Sequence, residues 1–128
     1  LSYVAPRLAI REKPDYAKLT RDPEIARVLA VDPLRHTQAT TALGRELMGA
    51  QSRVNVGAAN LRLPLLMQQG LADPVTPAIG AQRFFADVTA NDKRWYEYEG
   101  AAHRPFDDLN RATVLADLSD WLANHIGE

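Results

Sequence analysis

Hydrophobic and polar positions change rhythm near residue 60. Upstream, Leu43, Leu47, Ala50 and Val54 recur at spacings of four, three and four, one apolar stripe of a helix beginning near residue 37. Gly44, Gly49 and Gly57 weaken that helix and predict a kinked or mobile one. A shorter helix opens at Asp22-Pro23-Glu24, where Asp can cap, Pro suits the first position and Glu suits the positive end of the dipole. It should stop near residue 31, because Asp32 precedes Pro33. Residues 1–60 therefore read as helices and loops.

Downstream the pattern becomes strand, helix, strand, helix. Residues 64–69 form a short apolar run closed by Gly70, as in a buried parallel strand. Thr76-Pro77 reads as a second helix start, with Thr as cap and Pro at the first position. Ala81, Phe84, Phe85 and Val88 give that helix its apolar face. Residues 93–99, KRWYEYE, are aromatic-rich and end at Gly100, which predicts a second strand. From about residue 108 a last helix carries Val114, Leu115, Leu118, Trp121 and Leu122. A strand–helix–strand unit of this length implies a right-handed parallel crossover. Two strands do not make a stable sheet alone, so residues 61–128 expect further strands beside them. The fold class is α/β with parallel strands and an incomplete sheet.

Composition narrows the function classes. The 128 residues suit one domain, and 46% hydrophobic with 24% charged residues describes a globular chain. A net charge of −1 gives no basic surface for neutralising phosphates, so no nucleic-acid partner is expected. The absence of Cys excludes a disulfide framework, a thiolate metal site and a Cys nucleophile. No His/Asp/Glu spacing suggests a metal, no Gly-rich loop cradles phosphate, and no cofactor is expected. Apolar runs fall far short of the roughly 20 residues that span a bilayer. No signal peptide is visible, and a cytoplasmic location is favoured over a secreted one.

In α/β sheets, chemistry gathers beyond the carboxyl ends of the strands. Asp73 follows the first predicted strand and His103 the second. If the strands are parallel, both loops emerge on one edge and the two residues become neighbours. A carboxylate beside an imidazole fixes its tautomer and stabilises the imidazolium, making the histidine a general base and then a general acid. Taken singly, Asp73 reads as a turn residue before Pro74, and His103 as an ordinary loop histidine. His36 reads as a turn residue, His125 as a cation at a helix C-terminus, and Trp95, Tyr96 and Tyr98 as sheet packing. Asp15, Asp22 and Asp32 read as turn and cap residues.

The stretches DYAKLTRDPEIARVLAVDPLRHTQATTALGRELMGA, LRLPLLMQQGLADPVTPAIGAQRFFADV and KRWYEYEGAAHRPFDDLNRATVLADLSDWLANHI carry a resemblance over nearly the whole chain. They are similar to the C-terminal half of the monoacylglycerol lipase/lysophospholipase group of α/β-hydrolases. GLADPVTP resembles that family's G-x-x-D loop, and YEGAAHRPFDD its histidine loop. The resemblance implies that Asp73 is the acid and His103 the base of a Ser-His-Asp triad. It also implies that residues 1–60 are a helical lid and residues 61–128 the C-terminal part of the hydrolase core. Family members carry Glu or Asn-Glu just after the histidine loop, where this chain has Asp107-Asp108. The implied partners are a lipid ester substrate, the N-terminal half of the same fold, and a membrane surface touched transiently through the lid.

The nucleophile elbow G-x-S-x-G is absent, since Ser2, Ser52 and Ser119 are the only serines and none has glycines at that spacing. The oxyanion donors associated with that elbow are missing with it. Two functions are expected. One is a serine hydrolase of carboxylic esters whose nucleophile lies outside this chain, the chain alone being inactive. The other is a catalytically inactive fragment, or an interaction module that needs a partner chain. Epoxide hydrolases, dehalogenases, peptidases and acyltransferases share the Asp/His layout, and the nucleophile's identity would separate them.

Overall fold

A computed structural model describes residues 3–11 and 13–126. Helix α1 (Pro23–Val31) begins as the sequence predicts, with the Asp22 carboxylate accepting from the amides of Glu24 at 2.9 Å and Ile25 at 3.4 Å. Residues 1–60 are not only helices and loops. Strands β1 (Ala9–Arg11) and β2 (Gln38–Thr40) pair antiparallel. Three-residue strands leave too short an alternation to be read from sequence. Because 38–40 are extended, helix α2 (Thr41–Gly57) starts later than residue 37, capped by the Thr40 hydroxyl. It runs unbroken through Gly44 and Gly49 to end at Gly57. Its apolar stripe exists but finds no cover within the described residues: Leu43, Leu47 and Val54 are exposed.

The second half has the predicted order. Strand β3 (Leu65–Gly70) pairs parallel with β4 (Lys93–Tyr98), and helix α3 (Ala78–Asp87) connects them. Among the described residues these two strands form a sheet of their own. Helix α4 (Arg111–Ala123) starts after, not at, Asp108. Asp108 has an extended backbone, and a 3-10 turn (Pro105–Asp107) precedes it.

Two small clusters hold this half together. Ala58, Val88 and Ala90 pack with Leu61, Leu65 and Phe84 under α3, while Tyr98, Ala101 and Val114 pack with Tyr96 under α4. The second cluster includes a polar pin. Gln68 Nε2 donates to the Tyr98 hydroxyl at 2.6 Å and to the Val114 carbonyl at 2.8 Å, and Tyr98 donates to Asp117 at 2.8 Å. Burial first, then the Asp117 carboxylate, push the Tyr98 phenol up to about 12, so it stays a donor. His125 lies just past α4, stacked on Trp121, with its ring nitrogens on the Trp121 carbonyl at 2.6 Å and Asp92 at 2.7 Å. It ties the helix end to the loop before β4, a structural role.

The backbone packs tightly at the carboxyl end of the sheet. A Cβ on Gly70 would stand 2.3 Å from the Ala102 carbonyl oxygen and 2.5 Å from that of Ala101. Only glycine lets the end of β3 nest against the loop after β4. Gly70→Ala is expected to destabilise the chain by about 1–3 kcal/mol through overpacking. Gly80→Ala, on an open face of α3, should stabilise by roughly 0.5–1 kcal/mol. Urea denaturation of the two variants measures both, and equal midpoints would refute the assignment.

Candidate active site

The parallel register sets Gly70 opposite Tyr98, so both strands end at the same level. Beyond them the loops stay zipped, with the Leu71 amide donating to the Tyr98 carbonyl and the Ala72 amide to that of Ala101, each at 3.0 Å. Asp73 and His103 therefore leave the sheet side by side. His103 Nδ1 lies 2.9 Å from Asp73 Oδ2. The sequence expectation that the two loops share an edge is met by a direct hydrogen bond.

The local chemistry of the Asp73 loop differs from the sequence reading in one respect. Thr76 does not cap α3; Pro77 occupies the cap position, with no side-chain hydrogen bond. The Thr76 hydroxyl instead donates to Asp73 Oδ2 at 2.6 Å and lies 3.2 Å from His103 Nδ1. The other carboxylate oxygen, Oδ1, accepts from the amides of Val75 at 2.7 Å and Thr76 at 3.0 Å. Turn chemistry and a histidine partner are thus not competing roles for Asp73. One oxygen makes the turn, and the other faces the imidazole.

Electrostatics depend on this division. Asp73 has a side chain only 3% exposed, while that of His103 is 32% exposed. Burial alone would raise the Asp73 carboxyl. The Thr76 hydroxyl, the His103 ring and the Thr76 and Val75 amides outweigh it, and the carboxyl falls to about 2. A carboxylate ionised at neutral pH only accepts, so Nδ1 must carry a proton to bond it. Nε2 has no hydrogen-bond partner among the described residues, and in the neutral ring it carries the lone pair. Neither Ser52 in α2 nor Ser119 in α4 bonds to His103, and Ser2 lies outside the described residues.

Sequence reasoning missed the residues that hold the histidine loop. Asp108 is fully buried and accepts from the Ala102 amide at 2.7 Å, next to His103. Arg21, from the first half of the chain, donates to it through both backbone and Nε. Departure of the Asp107-Asp108 pair from the family pattern was the one available signal. A cavity of about 970 Å³ lies beside this region, between the β1–β2 pair, residues 13–19 and the start of α2. Leu19, His36, Met48 and Val75 are among its walls. Among the described residues no group of three or more His, Cys, Asp or Glu could hold a metal, and no helix is long and apolar enough to cross a membrane.

The depressed Asp73 carboxyl makes stability depend on acid. Its folded value, about 2, lies below the ordinary 3.8, so its contribution is complete above pH 4 and is lost as pH falls toward 2. The loss is expected to be on the order of 2 kcal/mol. Asp73→Asn should flatten that part of the stability–pH curve, measured by urea midpoints from pH 5 to 2. An unchanged slope would show that Asp73 is not the group titrating.

Comparison with known proteins agrees with the geometry. Residues 1–110 match the family described as serine aminopeptidase, S33. The chain is 28% identical over 127 residues to the monoacylglycerol lipase of Mycolicibacterium smegmatis, covering 98% of this chain and 45% of that protein. It is 30% identical over 129 residues to the monoglyceride lipase of Rattus norvegicus, covering 98% of this chain and 42% of the relative. The crystal structure of Paleococcus ferrophilus monoacylglycerol lipase superposes with a TM-score of 0.88 at 28% identity, covering 97% of this chain and 49% of that one. The chain thus spans less than half the length of these relatives and matches their C-terminal portion. With two parallel strands, their connecting helix and the loops beyond them arranged as in such an enzyme, the chain belongs to the serine aminopeptidase S33 family of α/β-hydrolases.

Proposed function

We propose that this chain supplies the acid and the general base of a Ser-His-Asp triad in a carboxylic-ester hydrolase of the monoacylglycerol lipase type. The observation that carries the reading is the Asp73–His103 hydrogen bond at 2.9 Å at the carboxyl end of the sheet. A serine outside these 128 residues, on a G-x-S-x-G elbow, attacks the ester carbonyl while His103 Nε2 takes its proton. Asp73 holds the Nδ1–H tautomer and stabilises the imidazolium. The imidazolium then protonates the departing alcohol oxygen, and an acyl-enzyme remains. Water, deprotonated by the same Nε2, attacks the acyl carbonyl, and the serine leaves with the proton from His103.

Residues 1–60 act as the lid over an acyl chain in this reading, and the 970 Å³ cavity reaching Val75 supports it. Exposed Leu43, Leu47 and Met48 on α2 offer the lid an apolar surface for transient contact with a lipid interface. The two-stranded sheet and the exposed Leu115 and Leu122 of α4 support packing against the N-terminal half of the fold.

A second reading, an inactive module that requires a partner chain, draws on the absence of any serine bonded to His103 among the described residues. The two readings separate by experiment. The chain alone should take up no fluorophosphonate probe and hydrolyse no monoacyl ester; stoichiometric labelling would overturn this. Joined to a half that carries the elbow, it should hydrolyse monoacylglycerol. There His103→Ala should lower kcat by about 10³-fold or more, and Asp73→Asn by a comparable factor. Full activity in His103→Ala would sink the proposal.

A further inference from the structure

Asp108 is the most completely enclosed charged group near the site, and its partners come from three places. Oδ2 accepts from the Ala102 amide at 2.7 Å and from Arg21 Nε at 3.1 Å. Oδ1 accepts from the Arg21 amide at 3.0 Å and the Leu109 amide at 2.7 Å. The Asp108 side chain is 0% exposed and its bond to the Ala102 amide is buried, while the Arg21 side chain that closes over it is 37% exposed. Arg21 lies 87 residues away in sequence, in the segment leading into α1.

That segment is strapped along the whole histidine loop. The His103 amide donates to the Lys18 carbonyl at 3.3 Å and the Arg104 amide to that of Leu19 at 2.9 Å. The Thr20 hydroxyl donates to the Asp107 carbonyl at 2.8 Å, and Arg111 pairs with Asp22 at 2.6 Å. Gly100 takes φ +68°, and a Cβ there would stand 2.9 Å from the Arg21 guanidinium. The loop is therefore shaped to receive Arg21 and closed on Asp108.

We propose that Asp108, bridged by Arg21, is a positioning residue for His103. It anchors the amide of the preceding residue and so holds the ring against Asp73. The proposal rests on the reading of His103 as the general base, and it adds the device that fixes the base in place. Asp108 touches no reacting atom; it acts through Ala102. Removing its charge leaves the buried Ala102 amide with a weaker acceptor and frees the loop to slide, which lengthens the Nδ1–Asp73 bond. Lys18 and Leu19 also line the 970 Å³ cavity, so one segment serves as cavity wall and as brace for the histidine.

The test follows imidazole protons by NMR in the chain joined to a half that carries the elbow, with these 128 residues labelled with ¹⁵N. The wild-type chain should show a protected His103 Nδ1–H. In Asp108→Asn that proton should exchange with water about tenfold faster, the worth of one hydrogen bond to a charged group. The ring signals of His125, held by Asp92 and Trp121 just past the C-terminal end of α4, should remain unchanged and report an intact fold. If Asp108→Asn loses the His125 signals as well, Arg21→Gln decides, because it keeps Asp108 and removes the guanidinium bridge, along with its exposed bond to Asn110. Faster exchange at His103 in a folded variant supports the proposal. A wild-type exchange rate there, in folded Asp108→Asn or otherwise in Arg21→Gln, overturns it. The readout is a ring proton and not hydrolysis, so it stands or falls independently of the catalytic reading.

Discussion

The parallel pairing of β3 with β4 is the constraint on which the site depends. Parallel strands in register end at one level, and the loops beyond them share one edge. Gly70 opposite Tyr98 sets that level. A one-residue slip would turn every side chain to the other face and carry Asp73 away from His103. The absent side chain of Gly70 lets the loops continue the pairing beyond the sheet, where the carbonyls of Ala101 and Ala102 crowd the space a Cβ would take. Site geometry is thus decided by backbone contacts before any titratable group is considered.

Charge then settles the roles. Asp73 is enclosed, which disfavours its ionised form, yet two amides, a hydroxyl and an imidazole all present hydrogen to it. A carboxylate satisfied on both oxygens stays charged, and its charge selects the His103 tautomer with Nε2 free. The acid is buried and the histidine more exposed, the division that the proposed acid–base pair needs. Asp108 repeats the principle beside the same loop. It too is buried and ionised, but its donors are backbone and guanidinium, so its energy goes into holding the chain.

Much of this could be read from the residues. Helix α1 has the predicted limits because its cap, its first-turn proline and its stop are all local signals. Both sheet strands are found within a residue of expectation, since a compact apolar or aromatic run closed by glycine is a strong pattern. Ribbon β1–β2 escaped because its strands are short and far apart in sequence. Thr76 misled because a Thr-Pro pair is a good cap signal until a nearby carboxylate competes for the hydroxyl. The apolar stripe of α2 was visible, but its exposure was not, because periodicity records a face and not what covers it.

The sequence by itself determined helix α1 and the strand, helix, strand, helix order of the second half, that Asp73 and His103 follow its two strands, and that no elbow serine is present. Those are properties of local pattern and residue type. Only the tertiary structure decided that the two residues bond at 2.9 Å and that Arg21 reaches Asp108 across the chain. The physical reason is range. Caps, turns and periodicity act over a few residues, whereas a hydrogen bond between residues 30 or 87 positions apart exists only once packing has brought their backbones together.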